Sequence, residues 1–301
     1  MKVIAPKYFS QFKCLASNCS HSCCIGWEID VDDKTLSKYE NSQFGYARKI
    51  CKSIDKKDTP HFTLLPNGNC PHLDESGLCK IITNMGEDYL CDICREHPRF
   101  YNQTPYGLEV GLGLSCEEAC RIILTSSNYV EMIEVDNDDA QAEKFDFNPI
   151  PSRNKMLETL ARHDLPYSEK LQALCNDFNV STQIISDEDW VEVLNSLEYL
   201  NDDHKNLFSC YSSSSLATAS RESYLERALA YFVYRHVAKA QSTFEIKQYL
   251  GLCLFLEKLL SSILENQNVD NLKNIMAIAI IISEEIEYNE DNVDQILFEF
   301  I

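Results

Sequence analysis

Cysteines dominate the first part of the chain, in a spacing that suits metal binding. Eleven of the fourteen cysteines lie before residue 121, first in C-x4-C-x3-C-C and then in C-x8-C-x11-C-x2-C spacing. Thiolate sulfur is a soft ligand that binds zinc tetrahedrally or holds an iron–sulfur cluster, and each such site needs about four donors. We therefore predict a metal-binding region. Its nine candidate ligands are more than one site needs: Cys14, Cys19, Cys23, Cys24, Cys70, Cys79, Cys91, Cys94 and Cys116.

Two pairs among these nine cysteines are the most informative. Cys91-Asp92-Ile93-Cys94 is a C-x-x-C knuckle, compact enough for both sulfurs to bind one ion, and it is the most specific pair taken alone. Cys23 and Cys24 are adjacent, and neighbouring side chains diverge in an extended chain. Such a pair can serve two metals, or one metal with the second thiol in the core, and the sequence leaves both interpretations open.

The other cysteines and the nearby histidines are expected to have structural roles. Cysteine often behaves as a small buried hydrophobe, and we predict buried free thiols on helix faces at Cys51, Cys120, Cys175, Cys210 and Cys253. We expect His21, His72 and His97 to be hydrogen-bonded or solvated rather than metal ligands.

The cysteines are not expected to form a disulfide framework. Such frameworks belong to small secreted chains in oxidising compartments. The opening residues, from Met1 to Lys7, contain neither an apolar run nor a small-residue cleavage site, so we predict no secretory signal and a cytoplasmic protein with reduced thiols. The apolar run from Met276 to Ile282 is far short of the roughly 20 residues that span a bilayer. We therefore expect no membrane partner.

Composition narrows the classes of partner. The formal net charge of −20 argues against nucleic-acid binding, because phosphate neutralisation needs a basic face. The same acidity suits a cationic or lysine-bearing partner through long-range attraction. The 45% hydrophobic content is ample for a core, so folding does not require disulfide bonds.

The pattern of apolar residues predicts a mainly α protein. We expect an irregular, metal-organised, cysteine-rich domain with short strands at residues 1–135, an acidic linker at 136–151, and an α-helical bundle at 152–301. The predicted helices are 34–54, 78–85, 117–124 with Ser115 as its cap, 156–162, 190–200, 224–237, 250–264 and 272–286, and the predicted strands are 61–65 and 108–114. The apolar ending at 298–301 has no terminating residue after it, which leaves room for a further element.

Several well-known catalytic motifs are missing from the sequence. Radical enzymes that cleave S-adenosylmethionine typically use a C-x3-C-x2-C loop, whereas here Cys19 and Cys23 are followed directly by Cys24. No G-x-G-x-x-G follows a predicted strand, and the chain has no Walker motif, nucleophile elbow or paired zincin histidines.

Three blocks of the sequence form a pattern of their own, and a weaker helical signature follows them. The opening block is Pro6-Lys7-Tyr8-Phe9, Phe12-Lys13-Cys14, Cys19 to Cys24 and Gly26-Trp27. The second is Cys70-Pro71-His72-Leu73-Asp74, Gly77-Leu78-Cys79-Lys80-Ile81, Leu90-Cys91, Cys94-Arg95 and Pro98-Arg99. The third is Ser115-Cys116-Glu117-Glu118-Ala119 with Arg121, and the helical signature is Glu222-Ser223-Tyr224-Leu225 with Tyr234-Arg235. Together they resemble the flagellin lysine N-methylase family, and the second block is also similar to a wider family of zinc- or iron-chelating cysteine-cluster proteins.

The resemblance implies transfer of a methyl group from S-adenosylmethionine to lysine ε-amines of flagellin or a similar surface protein. The cysteine-bound metal, iron–sulfur or zinc, can then be purely structural. Candidates for positioning the lysine are aromatic or acidic side chains near the cysteines: Tyr8, Trp27, Tyr89, Tyr101, Tyr106 and Glu109. Arg95, Arg99 and Arg121 are candidates to bind a cofactor carboxylate or to offset thiolate charge.

Two other functions compete with the methyltransferase hypothesis. The wider cysteine-cluster resemblance suits a non-catalytic zinc- or iron-binding protein. An electron-transfer iron–sulfur protein would also use such ligands, but nothing after residue 121 suggests a redox partner or a second cofactor. Of these three hypotheses, only the methyltransferase requires S-adenosylmethionine, so binding of this cofactor distinguishes it from the other two.

Overall fold

The computed structural model describes residues 2–137, 144–181, 183–215 and 217–301. Their seven strands, β1 to β7, are Lys2–Pro6, Ile29–Asp30, Ile54–Asp55, His61–Phe62, Arg99–Thr104, Gly107–Leu112 and Met132–Asn137. Their thirteen α-helices, α1 to α13, are Asp33–Glu40, Ala47–Lys52, Lys80–Met85, Asp92–Glu96, Glu117–Thr125, Ile150–Leu160, Tyr167–Phe178, Asp187–Ser196, Asp203–Phe208, Ala219–His236, Thr243–Asn266, Leu272–Ile282 and Glu290–Phe298. With 53% helix and 11% strand, the predicted mainly α class is confirmed.

The chain folds into two compact units that are not continuous in sequence. Unit 1 contains the residues up to Phe12, Arg99–Ser115 and Ala119–Ile301, and unit 2 contains Lys13–Pro98 with Cys116–Glu118. The predicted boundaries at residues 135 and 151 divide the chain differently, because strands far apart in sequence pair within unit 1.

The sheet of unit 1 has four strands in the order β5-β6-β1-β7. Strands β5 and β6 form an antiparallel hairpin, β1 runs parallel to β6, and β7 is antiparallel to β1. Gly107 allows the close approach of β6 to β1, because its φ is +138° and a Cβ there would lie 2.3 Å from the backbone oxygen of Lys2. A side chain at this position would therefore disturb the pairing of these strands.

The helical core of unit 1 centres on α11, which is buried on nearly all sides. Residues Leu250 to Leu256 are all buried, as expected for a helix surrounded by other elements. Trp190 of α8 packs on Phe255 of α11 with ring centroids 4.3 Å apart. Helices α11 and α8 begin at side-chain caps: Ser242 accepts from the backbone N–H of Glu245, and Ser186 forms a capping box with Asp189.

A buried polar cluster joins helix α10, which carries Tyr231 and Arg235, to the turn after α12 in unit 1. Residues 283–287 form a π-helical turn after α12, and this turn carries Glu287. The Glu287 carboxylate accepts a hydrogen bond from the Tyr231 hydroxyl at 3.0 Å, and Arg235 Nε lies 3.5 Å from Glu287 Oε1. The Arg235 guanidinium also lies over the ring of Tyr288. A π turn inserts one residue into a helix. Here the π turn at residues 283–287 carries Glu287 in the core.

A second buried ion pair links the sheet of unit 1 to α6. Glu109 of β6 and Arg153 of α6 form a bidentate pair, and both side chains are at most 3% exposed. The Arg153 guanidinium lies 5.1 Å from the centre of the Tyr234 ring. Because both charges are out of water, each depends on the other for compensation.

Unit 2 is built from short elements around a small core. Strands β2, β4 and β3 form a three-stranded antiparallel sheet in that order. The Asp32 carboxylate caps α1 by accepting from the backbone N–H of Thr35, and its other oxygen accepts from the backbone N–H of Asp92 at the start of α4. One carboxylate therefore fixes the starts of two helices, the second of which carries Cys94.

Several predicted elements differ from those in the structure. The predicted helix 34–54 is two helices, α1 and α2, because α1 ends at Asn41, whose side-chain amide donates to the Ser37 carbonyl. The predicted cap Ser115 is not a cap, since its buried hydroxyl has no hydrogen-bond partner among the described residues.

The predicted strand 61–65 is shorter than expected, and part of the predicted linker is ordered. Strand β4 covers only His61–Phe62. Strand β7 continues to Asn137, and α6 begins at Ile150, so both ends of the predicted linker lie in regular elements. Residues 138–143 of the linker lie outside the described residues. Among the described helices, none is long and apolar enough to cross a membrane.

Candidate metal centre

Five of the predicted ligands gather in the core of unit 2, and we call them the core thiols: Cys24, Cys70, Cys79, Cys91 and Cys94. Cys70 and Cys91 are buried members of this core, and the other three pack against it. Backbone pairing explains part of the convergence, because the Cys70 N–H donates to the Cys24 carbonyl at 2.8 Å. Cys79 pairs with Leu73 in an isolated antiparallel bridge.

The two sulfurs of the C-x-x-C pair lie within hydrogen-bonding reach of each other, and their binding of one ion stays a prediction. Cys91 immediately precedes α4, Cys94 lies within it, and the Arg95 N–H donates to the Cys91 carbonyl. The Cys94 thiol donates a hydrogen bond to the Cys91 sulfur, which lowers the pKa of Cys91 and raises that of Cys94. Cys91 is therefore the first thiol of the pair to ionise, and thiolate is the form that binds metal.

The remaining four predicted ligands form a second set, the loop thiols: Cys14, Cys19, Cys23 and Cys116. The Cys23 thiol interacts electrostatically with Cys14 and Cys116, and Cys19 also interacts with Cys116. The Cys23 thiol also donates to the Cys24 sulfur, which lowers the pKa of Cys24 to about 7. The two adjacent sulfurs therefore contact each other, and both interpretations of this pair stay predictions.

A carboxylate that sequence analysis did not single out connects the segments of the loop thiols. Glu117 Oε2 accepts hydrogen bonds from the Ser20 N–H at 2.6 Å, the Ser20 hydroxyl at 2.9 Å, the His21 N–H at 3.0 Å and the Cys19 thiol at 3.3 Å. Burial alone would raise the pKa of Glu117, but these hydrogen bonds, led by those from Ser20, lower it. The ionised carboxylate is therefore the form that holds this loop.

Donor chemistry and donor arrangement give different answers on metal binding. Both sets contain at least four thiols, the number that zinc or an iron–sulfur cluster requires. Within the described ranges, however, no three cysteine, histidine, aspartate or glutamate side chains are arranged so that they could hold a metal ion. Burial also raises the pKa of Cys19 and of Cys70 to about 12, which favours their neutral form. The gathered thiols are of the kind and number that a metal needs, but their arrangement in the described ranges does not fit one, so metal binding stays a prediction.

The histidine and cysteine residues outside the predicted ligand set have other contacts. His72 is buried, with its ring nitrogens 3.1 Å from the Tyr46 hydroxyl and 2.9 Å from the Ser53 hydroxyl, and burial lowers its pKa to about 4. Cys120 and Cys253 are buried in unit 1. Cys51 packs against the same core as the core thiols, a proximity that its sequence spacing did not indicate.

The aromatic and acidic candidates for positioning a substrate lysine do not share one site. Tyr8 and Glu109 are buried in unit 1, where Glu109 pairs with Arg153. The Tyr106 hydroxyl in unit 1 accepts from the Asn148 side chain at 3.0 Å. In unit 2, the face of the Tyr89 ring is occupied by Lys38, whose Nζ lies 4.3 Å from the ring centre.

The other two positioning candidates are more accessible. Tyr101 is 47% exposed on β5 of unit 1, and Trp27 is half-buried in unit 2. Neither assignment to a substrate site has support beyond this exposure, so both stay predictions.

The three candidate arginines have different surroundings. Arg95 forms an ion pair with Asp92 one turn earlier on α4, and its Nη1 donates to the Leu90 carbonyl at 3.3 Å. The Arg99 guanidinium lies 5.8 Å from the Phe9 ring centre and 5.7 Å from that of Phe12. Arg121 is exposed on α5. Of the three, Arg95 lies nearest in sequence to a candidate ligand, one residue after Cys94.

Comparison with known proteins gives matches to flagellar proteins and lysine methylases. The chain is 32% identical over 139 residues to the flagellar biosynthetic protein FliU of Salmonella muenchen, a match that covers 44% of this chain and 82% of FliU. This chain belongs to the flagellin lysine N-methylase family. The lysine-N-methylases of Salmonella typhimurium and Salmonella choleraesuis are also 32% identical to it over 139 residues.

The extent of these matches differs between the relatives. The match covers 35% of each lysine-N-methylase, so the chain spans about a third of the length of those relatives. No family model matches the chain, and no solved structure matches it either.

Proposed function

We propose that this protein transfers methyl groups from S-adenosylmethionine to lysine ε-amines of flagellin or a similar surface protein. The proposal is supported above all by its family relationship to proteins named lysine-N-methylase and flagellar biosynthetic protein. The net charge of −20 is in keeping with a lysine-bearing partner, because it attracts cationic side chains over long range.

The reaction makes plain demands on the protein. A lysine with a pKa near 10.4 is mostly protonated at neutral pH and cannot attack, so the enzyme must desolvate it or remove its proton. The neutral amine then forms a C–N bond to the methyl carbon as the C–S bond breaks in line with it, which leaves S-adenosylhomocysteine and a methylated, protonated amine. Because this is a polar substitution, it consumes no oxidant or reductant.

The core thiols and the loop thiols would hold a zinc or iron–sulfur centre under this proposal. When bound, such a centre would supply folding free energy, because it would link segments that lie far apart in the chain. The chain's own contribution is to bring these segments together, through the backbone pairing of Cys70 with Cys24 and through the Glu117 carboxylate.

The test uses the full chain, purified without oxygen and analysed for metal. Calorimetry measures S-adenosylmethionine binding, and mass spectrometry of purified flagellin after incubation looks for the added mass of one methylene per methyl transferred. A Cys175→Ser variant, altered in a thiol of unit 1, should methylate as the natural chain does. If metal-replete protein neither binds S-adenosylmethionine nor adds mass to flagellin, the proposal is wrong.

A non-catalytic metal-binding protein is the second candidate. The observation that favours it is the uneven match, which covers most of FliU but only 35% of each lysine-N-methylase. This candidate predicts bound metal without S-adenosylmethionine binding, so the same calorimetric experiment distinguishes the two functions.

A further inference from the structure

Among the described residues, unit 1 contains three buried arginines, and one of them has no partner. Arg153 is paired with Glu109, and Arg235 lies beside Glu287. Arg221, in the first turn of α10, is only 5% exposed, yet its guanidinium forms no hydrogen bond or ion pair with any residue that the structure describes. Buried charges are normally paired, because an isolated one loses its hydration without compensation. The burial of Arg221 therefore indicates an anion that the described residues do not supply.

The start of α10 offers further anion-binding groups next to this arginine. Thr218 is the N-cap, but its side chain makes no capping hydrogen bond, and its hydroxyl lies 3.0 Å from the Ser220 hydroxyl instead. The backbone N–H groups of Ala219 and Ser220 have no hydrogen-bond partner in the described part of the chain. Unpaired N–H groups and the helix dipole both favour a bound anion. All three residues are exposed, so a ligand can reach them.

The Arg221 side chain extends toward this end of the helix. Side chains in an α-helix tilt toward its N-terminus and cover the preceding turn, so that of Arg221 covers residues 218–220. One turn later on the same helix face, Leu225 is fully buried. The neighbouring acid Glu222 does not neutralise the arginine, since its carboxylate interacts with Tyr167 and forms no ion pair among the described residues. The cation is thus held between the apolar core and the open start of the helix.

We propose that Arg221 and the start of α10 bind the carboxylate of the methionine part of S-adenosylmethionine. This inference rests on the proposed function, which requires that cofactor. A planar guanidinium can donate two parallel hydrogen bonds to a carboxylate, and this carboxylate is the anionic group of S-adenosylmethionine. Of the arginines that the sequence suggested for this role, Arg95 is already paired with Asp92. Arg221 is a binding residue and takes no part in the methyl transfer itself.

Calorimetry on the full chain, purified without oxygen, tests this assignment with two ligands that differ in the carboxylate. S-adenosylhomocysteine carries the amino-acid part and cannot transfer a methyl group, whereas methylthioadenosine lacks that part. We expect Arg221→Met to weaken S-adenosylhomocysteine binding by about 10- to 100-fold, as for the loss of hydrogen bonds to a charged group, and to leave methylthioadenosine binding unchanged. Arg221→Lys keeps the charge but not the planar fork, and should lose less.

Two further variants test the helix start and the specificity of the effect. Ala219→Pro removes one unpaired N–H group, and proline is tolerated at the first position of a helix after an extended residue such as Thr218. It should weaken S-adenosylhomocysteine binding, and unchanged binding would remove the helix start from the site. Arg162→Met, at an exposed arginine of unit 1 that pairs with Asp164, is the control and should bind as the natural chain does. Equal weakening by Arg162→Met would mean that Arg221 has no specific role.

A ligand-free measurement tests whether Arg221 lacks a partner at all. Methionine carries no charge, so Arg221→Met should raise the denaturant midpoint of the ligand-free chain, because a buried charge without a partner is destabilising. Arg153→Met is the matched case, since it breaks the buried pair with Glu109 and should lower the midpoint. A fall in Arg221→Met like that in Arg153→Met would show that Arg221 already has a structural partner, and the inference would be wrong.

The same variants separate failure of this inference from failure of the proposed function. If the natural chain and Arg221→Met bind S-adenosylhomocysteine equally well, the site is wrong and the proposed function stands. If neither binds it, but inorganic phosphate raises the denaturant midpoint of the natural chain and not of Arg221→Met, the site binds an inorganic oxyanion, and both the cofactor assignment and the proposed function are wrong. If phosphate affects both chains alike, the anion site itself is wrong.

Discussion

Nε2 of His236 lies 2.7 Å from Oε1 of Glu287, and both side chains are completely buried in unit 1. The Glu287 carboxylate also accepts a hydrogen bond from the Tyr231 hydroxyl and lies beside the Arg235 guanidinium. Burial alone would raise the pKa of Glu287, but the Arg235 charge and the hydrogen bond from His236 outweigh it and hold the pKa at about 2. Glu287 is thus a buried anion whose partners come from a different helix, α10.

Replacing Glu287 should destabilise unit 1 strongly. In Glu287→Ala the Arg235 guanidinium stays buried without its counter-charge, and removing one partner of a buried ion pair typically costs about 3–5 kcal/mol. Denaturant unfolding followed by Trp190 fluorescence in a Trp27→Phe background measures this change. Glu290→Ala, at an exposed position three residues later, is the control and should cost less than about 1 kcal/mol. Equal losses in both variants would contradict the role of the buried cluster.

The stability of unit 1 should fall as the pH is lowered from 7. Burial, opposed in part by Glu287, lowers the pKa of His236, so below about pH 6.5 the unfolded chain takes up a proton that the folded chain does not. Glu287 adds the same effect below its ordinary value of 4.5, because its folded pKa is about 2. Arg235 and Lys239 keep their charge over this range and oppose protonation of His236.

The measurement is the unfolding free energy between pH 7 and pH 3, with the same fluorescence probe. His236→Gln should flatten the profile between pH 7 and pH 5, and leave the decrease below pH 4.5 in place. A rise in stability on acidification would show that the signs assigned to these groups are wrong.

The Glu109–Arg153 pair should be replaceable as a unit but not singly. Arg153→Met or Glu109→Leu alone leaves one buried charge without its partner, at a cost of about 3–5 kcal/mol. The double variant Glu109→Leu with Arg153→Met restores apolar packing and should be more stable than either single variant. A double-mutant cycle in denaturant gives the coupling, and simple addition of the two losses would show that the pair does not interact.

Gly113 should not tolerate even a methyl group. A Cβ there would lie 2.2 Å from the Tyr288 hydroxyl oxygen and 3.2 Å from Arg235 Nη1, inside the buried cluster. Overpacking of this kind typically costs about 1–3 kcal/mol, so Gly113→Ala should lower the unfolding free energy by that amount. Gly45→Ala is the control, because nothing lies within 4 Å of its added Cβ. Tolerance at Gly113 would mean that Tyr288 can move without loss.

Bound metal should depend on Cys94 and not on Cys51, although both pack against the same core. Cys94→Ser keeps a hydrogen-bond donor next to Cys91 but removes one predicted thiolate ligand, so the metal-to-protein ratio should fall. Cys51→Ser should leave that ratio unchanged. Elemental analysis of protein purified without oxygen measures both, and metal loss in Cys51→Ser would add this cysteine to the ligands.

The sequence predicted local features well and distant pairings poorly. The C-x-x-C knuckle and the stop of α3 at Gly86, whose φ is +93°, follow from residues close together in the chain. Strand β1 was missed because its partners β6 and β7 lie more than a hundred residues away. Glu117 begins the predicted helix 117–124, but its contacts with Ser20 and His21 depend on a fold that spacing does not reveal.

The discontinuity of unit 2 limits how the protein can be dissected. A fragment of residues 13–98 would carry all five core thiols, but it would lack Cys116 and Glu117, which return to this unit from beyond Ser115. The fragment would also retain Cys23, which is joined to Cys24 by a peptide bond, so three of the four loop thiols would remain without their fourth member. Proteolytic excision or gene fusion at residue 98 would therefore leave the core thiols complete and the loop thiols without Cys116. Neither set could be isolated in this way as an independent module.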